Sequence, residues 1–268
     1  LILRNKKLAE ELSQESRKRR QLHHEVEELK GKIRVYARVR PLSSTESTNN
    51  CENAISYGTD KELIIETKRQ TATGSTSKQQ KKFTFDKVFP PTGQQKDVFL
   101  AVKDLVQSVV DGKKVLLMAY GQTGSGKTYT MIGPKENTGI GPRAIEYLYK
   151  CMESHRAQFE YQVSAQVVEL HINDFRDLLS KKGKKKITVS RTKDGEVQFE
   201  GITLRKNFKS PEELVNLFEE AQSNRKTSST NMNQESSRSH LIFTINVHSR
   251  DRTTGVVTFG KLDIVDLA

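Results

Sequence analysis

The sequence predicts an α/β fold, a central and mostly parallel sheet flanked by helices, with a coiled-coil helix in front of it. Three observations point there. Apolar runs of strand length alternate with helical patterns after residue 33. The run Val115–Tyr120 leads straight into Gly121-Gln-Thr-Gly-Ser-Gly126-Lys127-Thr128, the order strand, glycine-rich turn, helix. Residues 1–33 instead place Leu1, Leu8, Leu12, Leu22, Val26, Leu29 and Ile33 along one heptad seam, with Asn5, Glu15 and Arg19 as its polar members.

Taken in order, the first 32 residues predict a neck helix of roughly 45–50 Å, too long to fold back as an ordinary surface helix. A single amphipathic helix lying on the core is the alternative reading. Ile33–Arg40 alternates like a strand and is stopped by Pro41; Leu63–Ile65 and Phe83–Phe89 suggest two more, with Thr71–Gln80 as a flexible polar loop between them. Gln95–Val110 places Val98, Val102, Leu105, Val106 and Val109 on one helical face and ends at Asp111-Gly112. Strand 115–120 follows, then helices from Lys127 and from Pro142-Arg143, and a long strand from Tyr161 to Ile172. Ile187–Arg191 and Glu196–Ile202 form a hairpin turned by Asp194-Gly195. Ser210-Pro-Glu-Glu213 is a capping box opening a helix to about Arg225, whose exit, Asn224–Thr230, reads as mobile. Two apolar strands, Leu241–Val247 and Leu262–Asp266, complete the core.

The net charge of +12 implies an acidic partner without saying which: an acidic protein surface, nucleic acid and anionic membrane all qualify. No apolar stretch approaches the roughly 18 residues of a membrane span, so none is expected. Cys51 and Cys151 have no zinc-like spacing and read as reduced, cytosolic thiols. His23-His24 lacks a third ligand at helical spacing and reads as a solvated pair. The runs Arg17–Arg20 and Lys181–Lys186 read as solvated charge.

Chemistry concentrates at three stations. Glycines at 121, 124 and 126 let the backbone curl its N–H groups toward a phosphate chain, and the helix that opens at Lys127 points its positive end at the same anion. Lys127 reaches the β- and γ-phosphates, and Thr128 is a Mg²⁺ ligand. Asn233-Gln-Glu-Ser236-Ser237-Arg238-Ser239-His240 packs hydroxyls, a guanidinium and an imidazole before a strand, a set suited to a γ-phosphate and its metal; a serine-rich loop capping a strand is the bland alternative. Asp266, at the tip of an apolar strand, is the expected acidic station for Mg²⁺.

With Arg38-Val-Arg40-Pro41, Phe83–Phe89, Gly121–Thr128 followed by Tyr129-Thr-Met131, Asn233–His240 and Asp266-Leu-Ala268 in this order, the chain resembles a kinesin motor domain over residues 33–268. The resemblance implies a Mg·ATP-binding ATPase acting on microtubules in the cytoplasm, on the cytoskeleton or spindle. It implies an adenine pocket from Arg38, Arg40, Pro41 and Tyr129, and a phosphate cradle from Gly121, Gln122, Thr123, Gly124, Ser125, Gly126, Lys127 and Thr128. Asn233, Ser236 and Arg238 would serve the γ-phosphate and the attacking water beside Lys127. Thr128, Ser237 and Asp266 would serve the metal. In the family Asp-Leu-Ala is followed by Gly-Ser-Glu, so the chain is expected to be a motor lacking its second-switch helix and main microtubule-binding elements. A neck before the core resembles the C-terminal-motor, minus-end-directed kinesins, with a homodimer through the neck. Lys32 at the junction looks most like the calmodulin-regulated plant and protist branch, whose regulator would bind outside this chain. Arg191 and Lys193 are candidate tubulin contacts. Neither membrane nor nucleic acid is an expected partner. A nucleotide-holding, non-hydrolysing binding or dimerisation module and a nucleic-acid translocase remain the alternatives.

Overall fold

A computed structural model describes residues 2–70, 76–180, 186–192, 195, 197–228 and 238–268. They fall into two compact units, residues 1–27 with 99–268, and residues 28–98.

Helix α1 (Ile2–Leu29) ends before Gly31. It does not project from the core, as its length suggests, but lies with its polar face against residues 99–268. Ser13, Ser16 and Glu27 are buried, and Gln158 donates to Ser13 Oγ at 3.4 Å. Asp111 receives both Nη groups of Arg19, at 3.2 and 2.6 Å, and lies 3.3 Å from Arg20 Nε. Arg20 also stacks 4.1 Å over the Phe159 ring, and His23 Nε2 meets Asp104 O and Ser108 Oγ. At about 100° per residue this docked face is roughly a third of a turn from the heptad seam. Leu8, Leu12, Leu22, Val26 and Leu29 accordingly stay exposed. The reading of a helix lying on the core thus describes this face, and Arg19, assigned to the seam, is used by the core, as are Arg20 and His23, expected to be solvated.

The second unit contains β1 (Tyr36–Arg38), α2 (Ser44–Thr48), β2 (Ile55–Tyr57), β3 (Glu62–Gln70), β4 (Thr76–Thr84) and β5 (Lys87–Phe89). The strand expected over 33–40 shrinks to three residues, paired parallel with β5. Strands β2, β3 and β4 make a separate antiparallel sheet. Ladder pairing from Glu62↔Thr84 to Gln70↔Thr76 claims residues 76–80, expected as loop, because a hairpin arm needs only backbone partners and tolerates polar side chains. A capping box absent from the sequence reading starts α2: Glu46 N donates to Ser43 Oγ and Ser43 N to Glu46 Oε2.

Helix α3 (Gln95–Val110) matches its expected bounds and buries Val102, Val106, Val109 and Val110. Beyond it come β6 (Lys114–Ala119), α4 (Lys127–Met131), α5 (Ile140–Ser154), β7 (Phe159–His171), β8 (Asp174–Asp177), β9 (Thr188–Arg191), β10 (Val197–Glu200), β11 (Arg205–Lys206), α6 (Pro211–Ser228), β12 (Ser239–Asp251) and β13 (Val257–Asp266). The main sheet runs β11-β7-β12-β13-β6, with β8 beside β7. It is chiefly antiparallel, correcting the mostly parallel expectation; only β13 and β6 run parallel. Part of the reason is connectivity: β7–β8 and β12–β13 are joined by short turns, which demand antiparallel neighbours, whereas β12 meets β7 antiparallel across a long connection. Phe218 of α6 meets Phe243 of β12 edge-on at 4.7 Å, fixing α6 on the sheet. Ser210 Oγ accepts from Glu213 N as expected, but Glu213 reaches back to Lys209 N rather than to Ser210 N. Asp194 and Lys193, at the β9–β10 turn, lie outside the described residues, as do residues 181–185 of the lysine run.

Candidate nucleotide site

The phosphate loop begins where β6 ends. Parallel pairing of β6 with β13 brings Ala119 opposite Asp266, so the loop and the acidic tip emerge side by side from the same sheet end. Gly126 has φ +96 at the first turn of α4, a conformation that a Cβ would strain. Gly121 is closed for another reason: a Cβ there would stand 2.6 Å from Ser125 Oγ. Gln122, Thr123 and Gly124 are exposed at the loop tip. Lys127 Nζ donates to Gly121 O at 2.7 Å and Gln122 O at 3.1 Å, so the ammonium sits over its own loop. The Tyr129 ring is about half exposed, and its hydroxyl accepts from Asn137 Nδ2 at 3.4 Å.

Asp266 is 1% exposed. Its Oδ2 accepts from Thr128 Oγ1 at 2.9 Å and from Arg225 Nη1 at 3.0 Å, while Oδ1 is buried with no hydrogen-bond partner among the described residues. A hydroxyl beside a carboxylate with an unengaged oxygen is a hard-oxygen donor set, which fits Mg²⁺. Thr128 and Asp266, expected from the sequence as metal stations, are therefore brought together. Ser237, the third, lies outside the described residues, as do Asn233 and Ser236. Arg238 is described and exposed, and its carbonyl accepts from Ile172 N at 3.3 Å.

Arg225 was not anticipated. Its segment read as a mobile exit, yet α6 continues through it, and Asn224 Nδ2 is tied to Leu178 O at 2.8 Å. Arg225 is buried, donating from Nε to Ser239 Oγ at 3.0 Å and from Nη2 to Ser239 O at 2.6 Å, besides its bond to Asp266. Such a pair is tolerated in the interior because each of the three guanidinium nitrogens finds an acceptor. No local pattern distinguishes this arginine from a solvated one. A second unanticipated contact joins His240 Nδ1, which accepts from Ala268 N at 3.0 Å.

Arg38, Arg40 and Pro41 belong to the unit of residues 28–98. Arg38 donates to Gln95 Oε1 at 2.7 Å and to Gly93 O at 3.4 Å. Arg40 is engaged by Glu46, donating to Oε2 at 2.7 Å. Those hydrogen bonds from Arg40, followed by the Ser43 backbone N–H, hold the Glu46 carboxyl down at about 2. Pro41 is exposed.

A family model described as the kinesin motor domain matches residues 38–268. The chain belongs to the kinesin motor family. It is similar to Kinesin-like protein KIN-14R of Arabidopsis thaliana, 35% identical over 100% of this chain and 24% of that protein. Kinesin-like protein KIN-14P of the same plant is 39% identical over 93% of the chain and 24% of its own length. Kinesin-like protein 2 of Schizosaccharomyces pombe is 37% identical, covering 97% and 32% respectively. The chain thus spans about a quarter to a third of these relatives. Among solved kinesins, a fast kinesin superposes with TM-score 0.79 at 31% identity, over 88% of this chain and 65% of that one. The C-terminal motor and motor homology domain of Kar3Vik1, fused to a synthetic heterodimeric coiled coil, gives TM-score 0.83 at 34% identity over 99% and 68%. The α/β kinesin fold, the membership in the family and the likeness to its KIN-14 members agree with the sequence reading. Among the described residues no helix is long and apolar enough to cross a membrane.

Proposed function

We infer that this chain is the nucleotide-handling part of a Mg·ATP-hydrolysing microtubule motor, directed toward minus ends and working on the cytoskeleton. The observation that carries this reading is the Thr128–Asp266 contact at 2.9 Å beside a phosphate loop, with a buried carboxylate oxygen left over. Backbone N–H groups of residues 121–128 bind and orient the phosphates, and Lys127 exchanges its two carbonyl partners for phosphate oxygens. Thr128 and Asp266, with Ser237, would hold Mg²⁺, which when bound neutralises charge on the phosphoryl oxygens. Ser236 places the attacking water, Asn233 and Arg238 serve the γ-phosphate, Tyr129 offers a ring to the base, and Arg38, Arg40 and Pro41 are the adenine candidates of the unit of residues 28–98. ATP and ADP are the nucleotides. Catalysis on this account is positioning and charge neutralisation, with no covalent intermediate on the protein.

Minus-end direction is supported by the neck preceding the core and by the KIN-14 relatives. Homodimer formation is supported by the leucine seam of α1, whose Leu8, Leu12, Leu22, Val26 and Leu29 stay exposed while the neighbouring polar face is docked. A boundary between neck and motor domain at 32/33 is supported by the end of α1 at Leu29 and by Gly31, which has φ +91.

The test is ATP turnover with and without microtubules, on this chain and on the full-length protein. Microtubule-stimulated hydrolysis by the full-length protein supports the assignment. Tight nucleotide binding without stimulated turnover in either replaces it with a non-hydrolysing binding module. Stimulation by DNA or RNA instead of microtubules replaces it with a translocase.

A further inference from the structure

The β12–β13 ladder runs from Arg250↔Val257 to Leu241↔Asp266 and stops there. His240 stands one residue beyond the last rung, and its Nδ1 accepts the N–H of Ala268 at 3.0 Å. A side chain thereby supplies the bond that the backbone of β12 no longer makes. The acceptor role requires the neutral tautomer with its proton on Nε2.

Ser239, the neighbour of His240, is fixed from the other side by Arg225, which grips both its hydroxyl and its carbonyl. Arg225 also grips Asp266, two residues before Ala268. The path Asp266, Arg225, Ser239, His240, Ala268, Leu267 and back to Asp266 is therefore a closed ring of hydrogen bonds and peptide links. Thr128 joins that ring to the phosphate loop through Asp266. In an open chain of contacts one end can relax while the other moves; in a closed ring, a shift of the β12 root must be shared by the exit of β13 or break a bond. Arg225 closes the ring on the α6 side, and His240 closes it on the far side, beyond the last rung at Leu241↔Asp266.

We propose that His240 is a positioning residue that couples the root of the first switch, Arg238–His240, to the Ala268 peptide at the start of the second. This rests on the ATPase reading given above for its consequence, but not for its geometry. His240 touches neither nucleotide nor metal in this role. It transmits the position of one switch root to the other.

The experiment uses the full-length protein with two substitutions, His240→Phe, which keeps a ring and removes the acceptor, and His240→Asn, whose Oδ1 can stand in for Nδ1. Amide hydrogen exchange at Ala268 is expected to speed up about 2–10-fold in the phenylalanine variant and to stay near wild type in the asparagine variant. Affinity for Mg·ADP, read with a fluorescent nucleotide, should stay within about twofold in both, because the phosphate loop is untouched. Maximal microtubule-stimulated turnover should fall in His240→Phe and be restored in His240→Asn. Unchanged Ala268 exchange in His240→Phe, or equal turnover in wild type and His240→Phe, overturns the proposal. If His240→Phe does not fold, His240→Ala is read by the same exchange measurement. Should the wild type hydrolyse nothing, the ATPase reading fails, while the exchange at Ala268 still decides the coupling.

Discussion

Replacing Arg225 with Met is expected to strand the carboxylate of Asp266. Arg225 makes three hydrogen bonds in a buried setting: one to Asp266 Oδ2 at 3.0 Å and two to Ser239 at 3.0 and 2.6 Å. A bond to a buried charged partner contributes about 1.5–3 kcal/mol and each neutral one about 1 kcal/mol, so the loss is about 3–5 kcal/mol, the range for breaking one side of a buried ion pair. At roughly 2–4 °C per kcal/mol for a domain of this size, the midpoint should drop by roughly 6–20 °C. The assay is urea and thermal unfolding followed by circular dichroism in the presence of a chelator, so that no divalent cation substitutes for the guanidinium. Asp266→Asn alone removes the charge assistance, and the double variant Arg225→Met/Asp266→Asn no longer strands a charge. It should be less destabilised than the sum of the two single changes by about 1.5–3 kcal/mol. Strict additivity of the two changes would refute the reasoning, because it would mean that the guanidinium and the carboxylate do not depend on one another.

Thiol labelling of the native protein should modify Cys51, which is exposed, and spare Cys151, which is buried and whose thiol burial pushes up, until the chain is unfolded; equal labelling by mass spectrometry counts against the packing of α5. The Glu46 carboxyl, lowered to about 2 from 4.5, should keep the α2 cap at pH 3–4. A depressed carboxylate stabilises above its unfolded value and loses that contribution as pH falls through the folded one, so a carbon-detected titration of Glu46 near the ordinary 4.5 would contradict the Arg40 contact. Gly260→Ala would put a Cβ 1.9 Å from the Val109 carbonyl, a backbone atom that cannot rotate away. It should cost about 3 kcal/mol or more or prevent folding, and a variant that melts like wild type would show that β13 and α3 are not in such close contact.

Much of the site was legible because its chemistry is local in sequence. A strand, three glycines, a lysine and a threonine within a short stretch specify a phosphate cradle, and helix α3 appeared with its expected bounds because five apolar residues share one face at helical spacing. Asp266 was legible as a polar end to an apolar strand. Sheet direction was not, since an apolar run reads alike whether its neighbour is parallel or antiparallel; short turns settle it after β7 and β12, and the tertiary fold settles it between β7 and β12.

What the sequence by itself determined, then, was the family, the phosphate loop and the heptad seam of α1, all of them patterns written in consecutive residues. Tertiary structure alone decided that Arg19 serves Asp111 rather than the seam, that Arg225 rather than solvent faces Asp266, and that His240 closes on Ala268. Each of these is a partnership between residues 28 to 92 positions apart, formed by charged or polar side chains whose local sequence would suit solvent equally well. Burial supplies the difference, because a donor or acceptor removed from water must find the partner that the fold brings to it.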